Sequence, residues 1–402
     1  MRFRHVLAVL LLAAAGVARP AAISTRPSSV PTESERRQVG ELSRRAADLI
    51  DQRKFLEAEH VLQDALSLIP KNSTCLYDLA GVEAALGRRE EAISSLERAT
   101  EAGFTDFTQI EHNPGFDGLR DLPRYQQLLA RKHEIRHRVA ERILGELKTQ
   151  FGDRYAYLVD EPRKLAFADG LGPASLGELQ SAIRWQLASQ EQQIFSHPPD
   201  EFIRVIVATP ADFSRLERRS GVSGHYDDST RTLLVKRLGP ELRHEFTHAL
   251  HAADQHALDQ EHPVWLSEGL ATLYEYPTFE VSGDDDRHLI PADTWRLAHV
   301  QAAAKHNVLI PIVKLVAMDR SKFTERADLA YGESASLLLY LFEHEVLKRF
   351  YDSYTQGYAT DSSGLVALKL ATGMSENDLQ KTWVNWLLPR TVPPTDPDRV
   401  VR

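Results

Sequence analysis

The chain has 402 residues, 43% of them hydrophobic and 26% charged, with a formal net charge of −9. This is the composition of a globular protein of roughly two or three domains. The acidic balance argues against a nucleic-acid partner, which needs a basic face, and no segment past the N-terminus reaches the roughly 18 to 20 apolar residues of a membrane span.

The N-terminus differs from the rest. Arg2 and Arg4 precede an apolar run from Val6 to Ala18, and Arg19-Pro20 ends it. A basic start, a short apolar stretch and small residues at Gly16 and Ala18 predict an export signal over residues 1–18. The alternative is a short anchor that stays attached. Export implies a periplasmic or extracellular location, with no membrane span after cleavage. Cys75 is the only cysteine, so no intramolecular disulfide forms, and any metal site must be built from His and carboxylates. Cys75 itself is expected to be a small buried hydrophobe. Residues 19–35 are rich in Pro, Ser and Thr and are predicted to be a flexible linker.

Beyond the linker the sequence repeats. Ala46, Ala58, Leu62 and Ala65 recur 34 positions later as Ala80, Ala92, Leu96 and Ala99, and Pro70 closes the first unit where Phe104 closes the second. A 34-residue period with small residues where two helices cross is the tetratricopeptide signature. Such short helix pairs leave an apolar edge and must stack on something. Phe107 to Leu129 resembles the atypical unit that closes such arrays. Ile135, Val139, Ile143, Leu144 and Leu147 then mark a helix with one apolar face. A further helical stretch is predicted near Leu176 to Phe195. Strands are predicted at Ile203 to Ala208 and at Arg231 to Lys236, and helices dominate from Glu241 onward.

Residues 244 to 248 read His-Glu-Phe-Thr-His. Positions four apart share a helix face, so His244 and His248 can turn ring nitrogens toward one metal ion, and Glu245 can reach a metal-bound water and take its proton. Ala249 and Leu250 continue an apolar face into a core. The pattern is not specific by itself, because His133-Glu134-Ile135-Arg136-His137 repeats it. That copy is crowded by Arg131, Lys132, Arg136 and Arg138, which oppose a bound cation, so it is predicted to be a solvated helix face. After the 244 copy comes Val-Trp-Leu-Ser-Glu-Gly-Leu-Ala, with Glu268 twenty residues beyond His248. A lone Glu among apolar residues is costly to bury unless paired or metal-bound, and two imidazoles, one carboxylate and one open position form a catalytic zinc set.

His244 to His248 followed by Trp265-Leu266-Ser267-Glu268-Gly269 resembles the gluzincin peptidases, the thermolysin-like group, and most of all the peptidase MA-like branch found in exported bacterial proteins. The similarity extends to the strand before Asp212-Phe213, a Gly224-His225-Tyr226-Asp227 turn, Ala330-Tyr331-Gly332-Glu333-Ser334, and Gly373-Met374-Ser375 with Trp383 and Trp386. The resemblance implies zinc held by His244, His248 and Glu268, with Glu245 as general base and Tyr331 helping to hold an oxyanion. A core tyrosine is the competing reading for Tyr331. Asp254 is a competing third ligand at the spacing another metallopeptidase group uses. That group needs a Gly where this chain has His251, so Asp254 is expected to point elsewhere and His251 to lie behind the ligands or on the surface. Glu275 is a candidate acceptor for a ligand histidine, against a solvated helix residue.

The fold class expected is α+β and mostly helical. Tetratricopeptide hairpins span 36–130, a connecting helical region spans 131–200, a zincin-type domain with a small sheet and an active-site helix spans 201–389, and a disordered tail covers 390–402. The expected function is an exported zinc metallopeptidase acting on a peptide or protein substrate, with a sheet edge near Arg231 to Lys236 as the candidate for aligning it and the repeats recruiting a partner or orienting substrate. Alternatives are a non-catalytic interaction protein with a vestigial zinc site, and a zinc amidase with a non-protein substrate.

Overall fold

The computed structural model describes residues 32–199, 201–219, 221–282 and 286–392. The export signal, and the linker as far as residue 31, lie outside them. The linker ends sooner than its composition suggested. Thr32 and Glu35 form a capping box, with the Glu35 amide donating to the Thr32 hydroxyl and the Thr32 amide to the Glu35 carboxylate at 2.7 Å, and this starts helix α1 (Glu33–Asp51).

Helices α2 (Phe55–Leu68), α3 (Ser73–Ala85) and α4 (Arg89–Ala102) complete two helical hairpins. All eight residues of the 34-residue pattern are fully buried, since each sits where neighbouring helices cross. Cys75 is buried there too. Tyr77 stacks on Phe104 with ring centroids 4.4 Å apart. Short helices α5 (Phe107–His112) and α6 (Pro123–Ala130) close the array, pinned where the Tyr125 hydroxyl donates to the Ile110 carbonyl.

Helix α7 (Lys132–Phe151) carries the second His-Glu-x-x-His copy on an exposed face. There Glu134 pairs with Arg131, and His137 contacts Glu161 at 2.7 Å. The region expected to be a helical connector, 131–200, holds strands as well as helices. It supplies strands β1 (Ala156–Asp160) and β2 (Leu165–Asp169) and helix α8 (Pro173–Gln193). With β3 (Ile203–Val207), β4 (Gly224–Asp227) and β5 (Thr232–Val235) they form one sheet in the order β1-β2-β3-β5-β4. Strands β2, β3 and β5 run parallel, and the two outer strands run antiparallel to their neighbours. Being covered on both faces, the inner strands are apolar at almost every position, which hides the period of two. Phe167, Val205 and Leu233 face the main core, while Ala168, Ile206 and Leu234 face α7.

Two further expectations change here. Gly224 to Asp227 is a strand, not a turn, and it forms one edge of the sheet, with β1 at the other. The strand near Arg231 to Lys236 lies inside the sheet, paired on both sides.

After α9 (Pro210–Leu216) and the last two strands, the chain enters α10 (Pro240–Leu258) and α11 (Val264–Leu273). A hairpin of β6 (Thr278–Ser282) and β7 (Asp286–Ile290) precedes helices α12 (Leu297–Lys305), α13 (Ile312–Leu315), α14 (Arg320–Glu325), α15 (Ala327–Glu343), α16 (Leu347–Gly357), α17 (Leu365–Thr372) and α18 (Glu376–Leu387). Order continues into the expected tail. Arg390 donates to Asp293 at 2.7 Å and to Glu343 at 2.6 Å, and its guanidinium lies over the Trp386 ring. Residues 393–402 lie outside the described residues. No helix among the described residues is long and apolar enough to cross a membrane.

Candidate metal centre

Helix α10 starts where Gly239 and Pro240 break from β5, with proline at the first turn where no amide partner is needed. One face of α10 buries Phe246, Ala249 and Leu250 in the main core. Thr247 ties it to α8, accepting from Gln186 at 2.9 Å and Gln190 at 2.8 Å. The helix is thereby fixed in rotation, and His244 and His248 project from its other side, each half-buried. Helix α11 lies against α15 with Gly269 at the crossing. This aims the buried Glu268 at the same point.

The three side chains converge. His244 Nε2 is 3.1 Å from His248 Nε2, and Glu268 Oε2 is 3.5 Å and 3.4 Å from those two atoms. A tetrahedral zinc shell with bonds of about 2.0–2.1 Å places its ligand atoms about 3.3 Å apart, so the donor set and its spacing fit that ion. It is the only such His, Cys, Asp and Glu cluster among the described residues.

The electrostatics agree. Burial lowers the basicity of His244, but Glu268 and Glu275 outweigh it and hold its pKa at about 10. Burial also raises the Glu268 carboxyl, yet the hydrogen bonds from His244 and His248 carry it well below the carboxylate range. The point where the three donors meet therefore favours positive charge.

Glu275 is no solvated helix residue but a buried partner of His244. Its carboxylate accepts from His244 Nδ1 at 2.9 Å, which leaves Nε2 directed at the cluster, and it is ion-paired with Arg296. His248 Nδ1 is 3.3 Å from the Ser267 hydroxyl. Glu245 stands beside the open sheet edge, accepting from the Tyr226 amide at 2.8 Å. Tyr331 lies within α15, with its ring 6.5 Å from that of His244. Burial and the hydrogen-bonded Glu268 raise its phenol pKa.

Asp254 points away, accepting from Tyr351 at 2.6 Å and from the Ser196 and His197 amides. His251 is no surface residue. It is buried, and its Nε2 is 2.7 Å from His262 Nδ1. Sequence reasoning missed Arg296 and Arg320. Arg320 donates to Glu268 Oε1 at 3.1 Å, leaving Oε2 to face the imidazoles. Both arginines come from segments after the hairpin, and no local pattern marks them.

Comparison with known proteins bears on the repeats alone. Residues 49–111 match the tetratricopeptide repeat family model. No curated protein matches the chain. The chain thus contains tetratricopeptide repeats, a module that implies binding to protein partners.

Proposed function

We propose that the chain is an exported zinc-dependent peptidase of the gluzincin type, its repeats joined to a zincin-type domain. The observation that carries this reading is the triangle of His244, His248 and Glu268 donor atoms at 3.1, 3.4 and 3.5 Å. Zinc bound there supplies Lewis acidity, which activates water and polarises a carbonyl. The remaining work falls to the chain's own residues. Glu245, adjacent to His244, takes the proton from the attacking water and delivers it to the leaving amine. Glu275 holds the His244 ring in the ligating orientation, with Arg296 balancing its charge. Tyr331 places a hydroxyl at the Glu268 carboxylate, where it can also meet an oxyanion. The open edge at Gly224–Asp227 offers main-chain groups to an extended substrate, in place of the inner strand first expected.

The test pairs metal analysis with proteolysis. Purified full-length protein should contain one zinc per chain and cleave unfolded casein, and Glu245→Gln should keep the zinc and lose at least a hundredfold in rate. Equal cleavage by Glu245→Gln would refute the peptidase reading, and unchanged zinc in Glu268→Ala would refute the ligand set.

A further inference from the structure

A cleft of about 810 Å³ separates the repeats from the sheet. Its far wall is Lys71–Thr74, where the α2–α3 turn enters α3, its floor includes α7, and its near wall is the sheet face opposite α10. Strand β4 borders both this cleft and the metal centre. Successive strand residues point to opposite faces, and here the alternation is visible. Gly224 and Tyr226 face the α10 side, since a Cβ on Gly224 would lie 3.3 Å from Glu245 Cγ and the Tyr226 side chain packs on the main core. His225 and Asp227 face the cleft.

The cleft also has a charge bias. Five cationic side chains line it against three carboxylates, in a chain whose net charge is −9. The carboxylates are already engaged. Glu146 pairs with Arg204 at 2.9 Å, Glu201 pairs with Arg231 at 2.9 Å, and Asp227 accepts from Ser229 and Thr230. Arg36 and Lys71 form no ion pair among the described residues.

We propose that this cleft binds an extended acidic polypeptide that continues from the strand position beside Gly224–Asp227, so that the repeats form one wall of the substrate site. The ligand class follows from the cleft alone. Its being a substrate rests on the peptidase reading above. A chain lying along β4 turns alternate side chains toward the metal and toward the cleft, and acidic groups on the second set meet Lys71 and Arg36.

The test uses full-length Glu245→Gln protein, so that peptide is not consumed, and fluorescence anisotropy with dye-labelled decapeptides of alternating Glu-Val or Ser-Val. Alternation places every Glu on one face of the strand. The Glu-Val peptide should bind about tenfold tighter than Ser-Val at low salt and lose that advantage at about 0.5 M salt. Adding Arg36→Glu and Lys71→Glu, both outside the core, should cut the preference to twofold or less with the melting temperature unchanged. Hydrogen exchange should show protection at 224–227 and 71–74. Equal binding of the two peptides, no binding, a preference that survives the charge reversal, or equally tight binding of a single-stranded RNA would each overturn the proposal. Acidic-peptide binding by a chain that holds no zinc would sustain the cleft and sink the peptidase. Zinc-dependent cleavage with no charge preference would do the reverse.

Discussion

Gly269 gives the sharpest link between packing and the metal centre. It follows Glu268 on α11, and a Cβ there would sit 2.8 Å from Ser334 Cβ and 2.9 Å from Leu338 Cδ1 on α15. Relaxing those contacts to the ordinary carbon–carbon separation of about 3.5–4.0 Å requires α11 to move off α15 by about 0.7–1 Å. Glu268 rides on the same turn, and a displacement above about 0.5 Å is enough to spoil a preorganised site. Gly269→Ala should therefore do two things. Overpacking should cost about 1–3 kcal/mol, which lowers the melting temperature of the metal-free protein by several degrees. Zinc affinity, measured by competition with a chromogenic chelator at pH 7.5, should fall at least tenfold. A variant with wild-type melting and wild-type zinc affinity would refute the reasoning, because it would mean that the helix crossing does not position the carboxylate. Lower melting with unchanged zinc affinity would sever the packing from the site.

Three further outcomes are expected. Glu275→Gln keeps an acceptor near His244 but removes its charge, so zinc should bind about 10–100-fold more weakly in the same chelator assay while circular dichroism is unchanged. Glu333 is buried on α15 and accepts from the Ile310 amide at 2.9 Å; burial raises its carboxyl pKa to about 8, so the folded state holds the proton more tightly than the unfolded one. The contribution of this one group is then full below about pH 4.5 and is lost as pH rises toward 8, by an order of a few kcal/mol, and Glu333→Gln should flatten that part of the slope in urea titrations between pH 6 and 9. Burial raises the Cys75 thiol pKa to about 11, against a smaller lowering by Ser43, so a thiol reagent at pH 8 should label none in the native protein and one per chain after denaturation.

Much of the molecule was legible from local pattern. The repeats show because each 34-residue unit must bury the same small side chains at the same helix crossings, so Ala46 and Ala80 share one environment. The His244–His248 pair shows because a helix places positions four apart on one face whatever surrounds it. What the local pattern could not carry was choice among partners. The decoy copy on α7 has the same spacing, and its flanking cations already mark it as a solvated face; the structure adds that no third donor among the described residues converges with its two histidines. Strands β1 and β2 lie within the expected connector: β2 is buried at every position and so loses its alternation, and β1 is a half-buried edge strand of only five residues. Which strand is the sheet edge, where Asp254 points, and the arrival of Arg296 and Arg320 at the two glutamates were decided by tertiary packing alone. Each depends on segments that meet only after the helices have stacked, and no short-range spacing encodes contacts across 21 or 52 residues.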